Sequence, residues 1–338
     1  MRPKEVSEFL KSIVHYPGAP SVFIWGPPGV GKSDVCKQVA IEEEINFVDL
    51  RLALMDPTDL RGIPVPENGK AKWLPPSALP TEGKGILCLD ELNLAPPLVQ
   101  ASAYQLVLDR KLGEYELPKD WCVIAAGNKI EHGANAYKMA VPLRNRFVHI
   151  DFETHVDDWR EWAIRSSVKS EVIEFISFRP DLLFQFDPKR HENAFPTPRS
   201  WEFASKILKS QNGLGSEIVH KVIEGTVGVG AAAEFKGYLQ IRANLPAINS
   251  ILNGKDYIPD QADVACALAT ALVIQSNTEQ IDRVLRYSEK LQAEVTVLIG
   301  KLLAIKYKNN QQLLTNCPYW ATWAKKHYYA FDLWRDSR

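Results

Sequence analysis

The residues best suited to chemistry come early. Gly26-Pro27-Pro28-Gly29-Val30-Gly31-Lys32-Ser33 satisfies the spacing GxxxxGK[ST]. It follows the apolar run SVFIW and precedes the helical pattern that opens at Asp34. In that setting the glycines let backbone N–H groups wrap a polyphosphate, and the helix N-terminus adds favourable potential for negative charge. Lys32 would reach the β- and γ-phosphates, and Ser33 would ligate Mg²⁺. The nucleotide-binding candidates are therefore Gly26 to Asp34, with Ser33 also a metal ligand.

A second constellation lies at the end of GILCLDE, where Asp90 and Glu91 adjoin. A strand-end aspartate can hold Mg²⁺, and a neighbouring glutamate can orient and polarise an attacking water. A third is VPLRNRFVHI, which places Arg144 and Arg146 just before an apolar run. Either guanidinium could stabilise phosphoryl charge or pair with acids around Asp151 and Glu153.

The elements that must position these groups alternate in type. Apolar runs at Ser21–Gly26, Ile45–Leu52, Gly85–Glu91, Trp121–Asn128 and Arg146–Phe152 read as strands covered on both faces, the signature of a parallel α/β sheet. Asn68-Gly69 centres a hairpin insertion at about 62–76, and RKLGEYELP from Arg110 reads as a shorter one. After Phe152 only helical spacing recurs, including a stretch from Asp263 to Lys306 broken near Gln275–Thr278. The C-terminal Trp320, Trp323, His327, Phe331 and Trp334 fall on one helix face, which reads as core.

Composition narrows the function. A net charge of -1 provides no global basic field for a nucleic-acid backbone, so nucleic acid is a disfavoured partner. No apolar run reaches the ~20 residues that span a bilayer, so no membrane insertion is expected. Five cysteines without a CxxC pair suit free thiols in a cytoplasmic setting.

LMDPTDLRG, LDELNLAPPLVQASAYQLVLD and LPKDWCVIAAGN, in this order after the phosphate loop, resemble the AAA+ ATPases. Within them the chain is similar to the MoxR branch, with the activators of rubisco and nitric-oxide reductase and dynein- and midasin-like modules as relatives. The resemblance covers roughly residues 20–205. It implies a P-loop α/β core at 1–152, a helical lid at 153–255 and a helical extension at 256–338.

Carried over residue by residue, Asp90 and Glu91 match the Walker B pair and Asn128 matches sensor 1. Arg199 matches sensor 2, and Arg144 and Arg146 match the arginine-finger region, with Arg146 favoured. The resemblance further implies ATP and Mg²⁺ as ligands and a homo-oligomeric ring, a hexamer. It also implies chaperone-like remodelling with a von Willebrand factor A-type partner that holds a metal.

Two other readings stay open. DLRG (Asp59–Gly62) and NKIE (Asn128–Glu131) nearly fit a GTPase, although Glu131 is one methylene too long to read guanine. A DNA-acting AAA+ motor is the other. Lesser features are read plainly. GVGAAA (Gly228–Ala233) follows a helical segment and suits close helix packing. IEEE (Ile41–Glu44) is a solvated helix end. Trp73, Lys70 and Lys72 on the first hairpin could either contact a partner or simply cover the hairpin.

Overall fold

Strands β1 (Ser21–Trp25), β2 (Asn46–Arg51), β5 (Gly85–Asp90), β8 (Trp121–Gly127) and β9 (Phe147–Asp151) pair in the order β2-β5-β8-β1-β9, every pair parallel. All five C-terminal ends therefore share one edge of the sheet. This computed structural model describes residues 1–129, 131, 137, 139–190, 192–245, 247–307 and 312–327. The expected strands appear within about a residue at each end. The three central strands β5, β8 and β1 are buried almost throughout. β2 and β9 depart from the two-sided covering expected of them, because as edge strands each leaves several residues exposed.

The sheet belongs to the first of two units, residues 1–155 with 186–191. In it α1 (Pro3–Ile13) buries Val6 and Leu10, and packs against α2 (Lys32–Glu42). The latter buries Val35, Cys36, Val39 and Ala40. Helix α3 (Pro57–Arg61) leads into the hairpin of β3 (Ile63–Glu67) and β4 (Lys70–Leu74). Its turn residues Asn68 (φ 50°) and Gly69 (φ 75°) are both left-handed, as an Asn-Gly hairpin requires. On this hairpin Ile63 and Leu74 are exposed and Trp73 is half-buried.

Helix α4 (Pro97–Asp109) packs its Val99, Ala103 and Leu106 into the core beside β5 and β8. The second hairpin forms from β6 (Lys111–Leu112) and β7 (Tyr115–Glu116). Arg110 fastens it by donating to the carbonyls of Pro118 (2.7 Å) and Trp121 (2.6 Å). Helix α5 (Val141–Arg144) is a single turn ahead of β9.

The second unit is helical: α6 (Val156–Arg165), α7 (Ser170–Phe178), α8 (Pro198–Ser210), α9 (Ser216–Val227), α10 (Val229–Ala243), α11 (Ile248–Leu252), α12 (Ala262–Gln275), α13 (Ile281–Ser288), α14 (Ala293–Lys306), α15 (Gln312–Thr315) and α16 (Trp320–Lys326). One cluster gathers Phe175, Trp201, Phe235 and Tyr238, and a second gathers Leu268, Tyr287, Leu303 and Trp323. Helix α12 serves both, giving Ala267 to the first and Leu268 to the second.

Ala231 and Ala232 are buried on α10, consistent with close packing by the GVGAAA segment. Trp323 is fully buried and donates its Nε1–H to Ser288 Oγ at 2.9 Å, so the described part of the C-terminal stripe is core. Phe331 and Trp334 lie outside the described residues. Among the described residues no helix is long and apolar enough to cross a membrane.

Candidate active site

The loop between β1 and α2 is built around Gly29 (φ 75°) and Gly31 (φ 98°), left-handed positions that side-chain-bearing residues rarely adopt. Helix α2 begins directly at Lys32, whose side chain is buried. Its Nζ donates to the carbonyls of Gly26 (3.0 Å) and Pro27 (2.9 Å) and to Asn128 Oδ1 (2.8 Å). The ammonium thus sits inside its own loop, at the point where Asn128 leaves β8. The next residue, Ser33, donates its hydroxyl to Asp90 Oδ2 at 2.9 Å. This brings a hydroxyl and a carboxylate together, the hard-oxygen pair that suits Mg²⁺.

Asp90 ends β5, and its other oxygen accepts the Glu91 amide at 3.0 Å. Glu91 has φ 56°, an uncommon conformation for a residue with a side chain. The sharp turn there ends the strand and leads into the short helical turn Leu92–Leu94.

Two residues later Asn93, buried, donates its side-chain amide to the Asn128 carbonyl at 2.6 Å. A Cβ on Gly127 would fall 2.2 Å from Asn93 Oδ1 and 2.9 Å from the Phe23 ring, so only glycine leaves room for this bond. Asn93 is given no role by any motif of the sequence. Its signal was a polar residue in an otherwise apolar turn directly after the paired acids.

Asp49 has no motif role either. It lies on β2 opposite Cys88, with Arg51 opposite Asp90. Burial pushes its carboxyl above the usual aspartate range. Asp90, Asp34 and Glu91 push in the same direction, while Arg51 opposes them. The sheet edge beside the loop therefore concentrates negative charge, where a divalent cation would be attracted. Behind it, the Cys36 thiol and burial hold the Cys88 thiol well above its ordinary value, so Cys88 stays a packed thiol rather than a nucleophile.

The geometry thus brings Lys32, Ser33, Asp90, Glu91 and Asn128 to one end of the sheet. The arginine pair lies on the turn that enters β9. Both Arg144 and Arg146 are exposed, and neither forms an ion pair with a described carboxylate. Asp151 instead pairs with Lys129 at 2.8 Å. Arg199 is exposed in the first turn of α8, within the helical unit. That turn is capped by Thr197, which accepts the Ser200 amide at 3.0 Å. Of the NKIE segment, Ile130 is outside the described residues, and Glu131 lies 3.7 Å from Lys129.

One family model matches part of the chain. Residues 21–147 match the model described as AAA domain (dynein-related subfamily). No curated protein matches the chain. Among solved structures the chain is similar to RuvB of Thermotoga maritima, a Holliday junction branch migration motor. The two share 16% identity over 74% of each chain, with a TM-score of 0.40. It is also similar to NtrX of Brucella abortus in complex with ATP, at 13% identity over 93% of this chain and 64% of that one, with a TM-score of 0.40. The matched span opens on the first residue of β1 and closes on the first residue of β9, so the segment that carries the phosphate loop and the paired acids is the part that is similar to this AAA domain model.

Proposed function

We propose that this chain hydrolyses ATP in a homo-oligomeric ring and uses the reaction to remodel a partner protein. The observation that supports it most directly is the Ser33–Asp90 hydrogen bond beside Glu91, with Lys32 on Asn128 completing the group. Ser33 and Asp90 are a hydroxyl and a carboxylate already in contact, so they suit Mg²⁺ and would hold it. Bound there, Mg²⁺ would neutralise charge on the β- and γ-phosphates.

The chain's own residues do the rest. Lys32 exchanges its loop carbonyls for phosphate oxygens. Glu91 accepts a proton from the attacking water, and Asn128 holds that water or the γ-phosphate. In this reading residues 153–255 form a lid that brings Arg199 to the nucleotide, and 256–338 form an extension. Arg146 reaches the site of the next chain around a ring of six. A guanidinium offered this way is worth ~10³- to 10⁵-fold in rate. The exposed hairpin at 62–76 would meet the client, and a von Willebrand factor A-type protein is the adaptor proposed.

The test mixes two inactive variants. Arg146→Ala and Glu91→Gln should each be nearly inactive alone. Mixed, they should recover ATPase activity, because some interfaces join an intact catalytic side to an intact arginine. A mixture that stays inactive, beside a wild type whose specific rate is unchanged on dilution, would overturn the shared site.

A further inference from the structure

The arginine-bearing turn is held by a side chain to which no role has been given. Trp25 Nε1 lies 2.8 Å from His149 Nδ1, and His149 Nε2 lies 2.8 Å from the Arg144 carbonyl. An indole N–H can only donate and a carbonyl can only accept. Nδ1 must therefore carry the lone pair and Nε2 the proton, which fixes both the tautomer and the direction of the chain of bonds. It runs from Trp25 through His149 to Arg144.

Each end of that chain sits at a sensitive place. Trp25 is the last residue of β1, immediately before Gly26 of the phosphate loop. It is stacked on Phe23 at 3.9 Å, and its carbonyl accepts the Phe152 amide at 2.7 Å. Arg144 is the last residue of α5, where backbone carbonyls run out of helical partners. The carbonyls of Val141 and Leu143 are taken by the amides of Asn145 and Arg146, both at 3.1 Å. The Arg144 carbonyl is taken by His149. Only Asn145 and Arg146 separate that carbonyl from β9. Fixing it therefore holds the peptide between Arg144 and Asn145, in the turn that carries both arginines. The His149 side chain is exposed, so its contribution is these two bonds more than core filling.

We infer that His149 is a positioning residue that sets the arginine turn for presentation to a neighbouring chain, and that Trp25 ties this setting to the strand entering the chain's own phosphate loop. The inference rests on the shared-site reading above. It predicts a defect that follows the arginine donor rather than the chain's own catalytic side.

The experiment measures ATPase rates in equal mixtures, alongside ATP binding by each variant. His149→Phe keeps a ring and loses both bonds. Alone, it should bind ATP normally and turn over roughly tenfold to hundredfold more slowly, the effect of a displacement of about an ångström. Mixed with Glu91→Gln it should recover as Arg146→Ala does, because Glu91→Gln supplies a well-set arginine. Mixed with Arg146→Ala it should not recover. His149→Gln, whose amide can still donate to the Arg144 carbonyl, should restore most of the rate.

Wild-type turnover by His149→Phe would overturn the inference. So would failure to recover with Glu91→Gln in a preparation where Arg146→Ala does recover. If Arg146→Ala and Glu91→Gln do not complement each other, the shared site falls, and this inference with it. Should His149→Phe not fold, Trp25→Phe is read in the same pairings. It leaves His149 present but its tautomer free, so it should lose donor competence in part, and full competence would overturn the proposal.

Discussion

Lys32 Nζ donates to Asn128 Oδ1 at 2.8 Å, tying the phosphate loop to the end of β8 through one pair of side chains. Asn128 is held a second time through its carbonyl, by Asn93. Three segments distant in sequence therefore set the position of one amide. The carbonyls of Gly26 and Pro27 also direct the ammonium into the loop.

Removing that ammonium should weaken nucleotide binding. A hydrogen bond to a charged group contributes about 1.5–3 kcal/mol, so Lys32→Ala should lose roughly tenfold to hundredfold in ATP affinity. Equilibrium binding of a fluorescent ATP analogue measures this directly. Unchanged affinity would remove Lys32 from the phosphate cradle.

Glu91→Gln should separate binding from turnover. The amide keeps the size of the side chain but cannot take a proton, and loss of a positioned base costs ~10²- to 10⁴-fold in rate. ATP should stay bound and unhydrolysed, as nucleotide extracted from the purified variant would reveal. Rapid turnover would show that another group activates the water.

Gly127→Ala should act through Asn93. The added methyl has no room beside Asn93 Oδ1, and overpacking of this kind costs about 1–3 kcal/mol. Asn93→Ala makes room, so the double variant should unfold at a higher temperature than the sum of the two single losses implies. Strict additivity in thermal melts would show that the two residues do not interact.

Lys306 gives a pH signature to the helical unit. Its Nζ donates to the carbonyls of Val273 (2.7 Å), Ile274 (3.1 Å) and Ser276 at the end of α12. Burial lowers its pKa to about 8. The unfolded chain keeps this proton up to the ordinary lysine value near 10.4, so between about pH 8 and pH 10 the unfolded state binds more protons than the folded one. The contribution of this group to stability therefore rises with pH across that window. Melting temperatures of wild type and Lys306→Met, compared at pH 7.5 and pH 9.5, should show the wild type gaining relative to the variant. A constant difference would show that burial does not lower the pKa of this lysine.

Much of this was legible in the sequence, and the reason differs by part. The phosphate loop is contiguous, and its residue types are dictated by backbone conformation and charge, so eight residues in a row reveal it. The strands are legible because buried parallel strands are apolar on both faces. Strand order is not, since Phe47 and Val48 on the edge look no different from Leu87 and Cys88 inside. The bond from Trp25 to His149 joins residues 124 apart, and neither residue carries a local motif. The break between α13 and α14 was missed because Glu289–Gln292 contains no glycine or proline to announce it.

On the reading proposed above, in which Glu91 takes the proton of the attacking water, its left-handed backbone sets fold stability against chemistry at a single position. Glycine adopts that conformation without steric penalty and asparagine more easily than glutamate, so either would relax the turn after β5. A library of variants selected only for resistance to heat would drift toward those residues at 91. It would yield sturdier chains that bind nucleotide and do not turn over, and thermal screening of this protein should therefore be paired with a turnover assay from the first round.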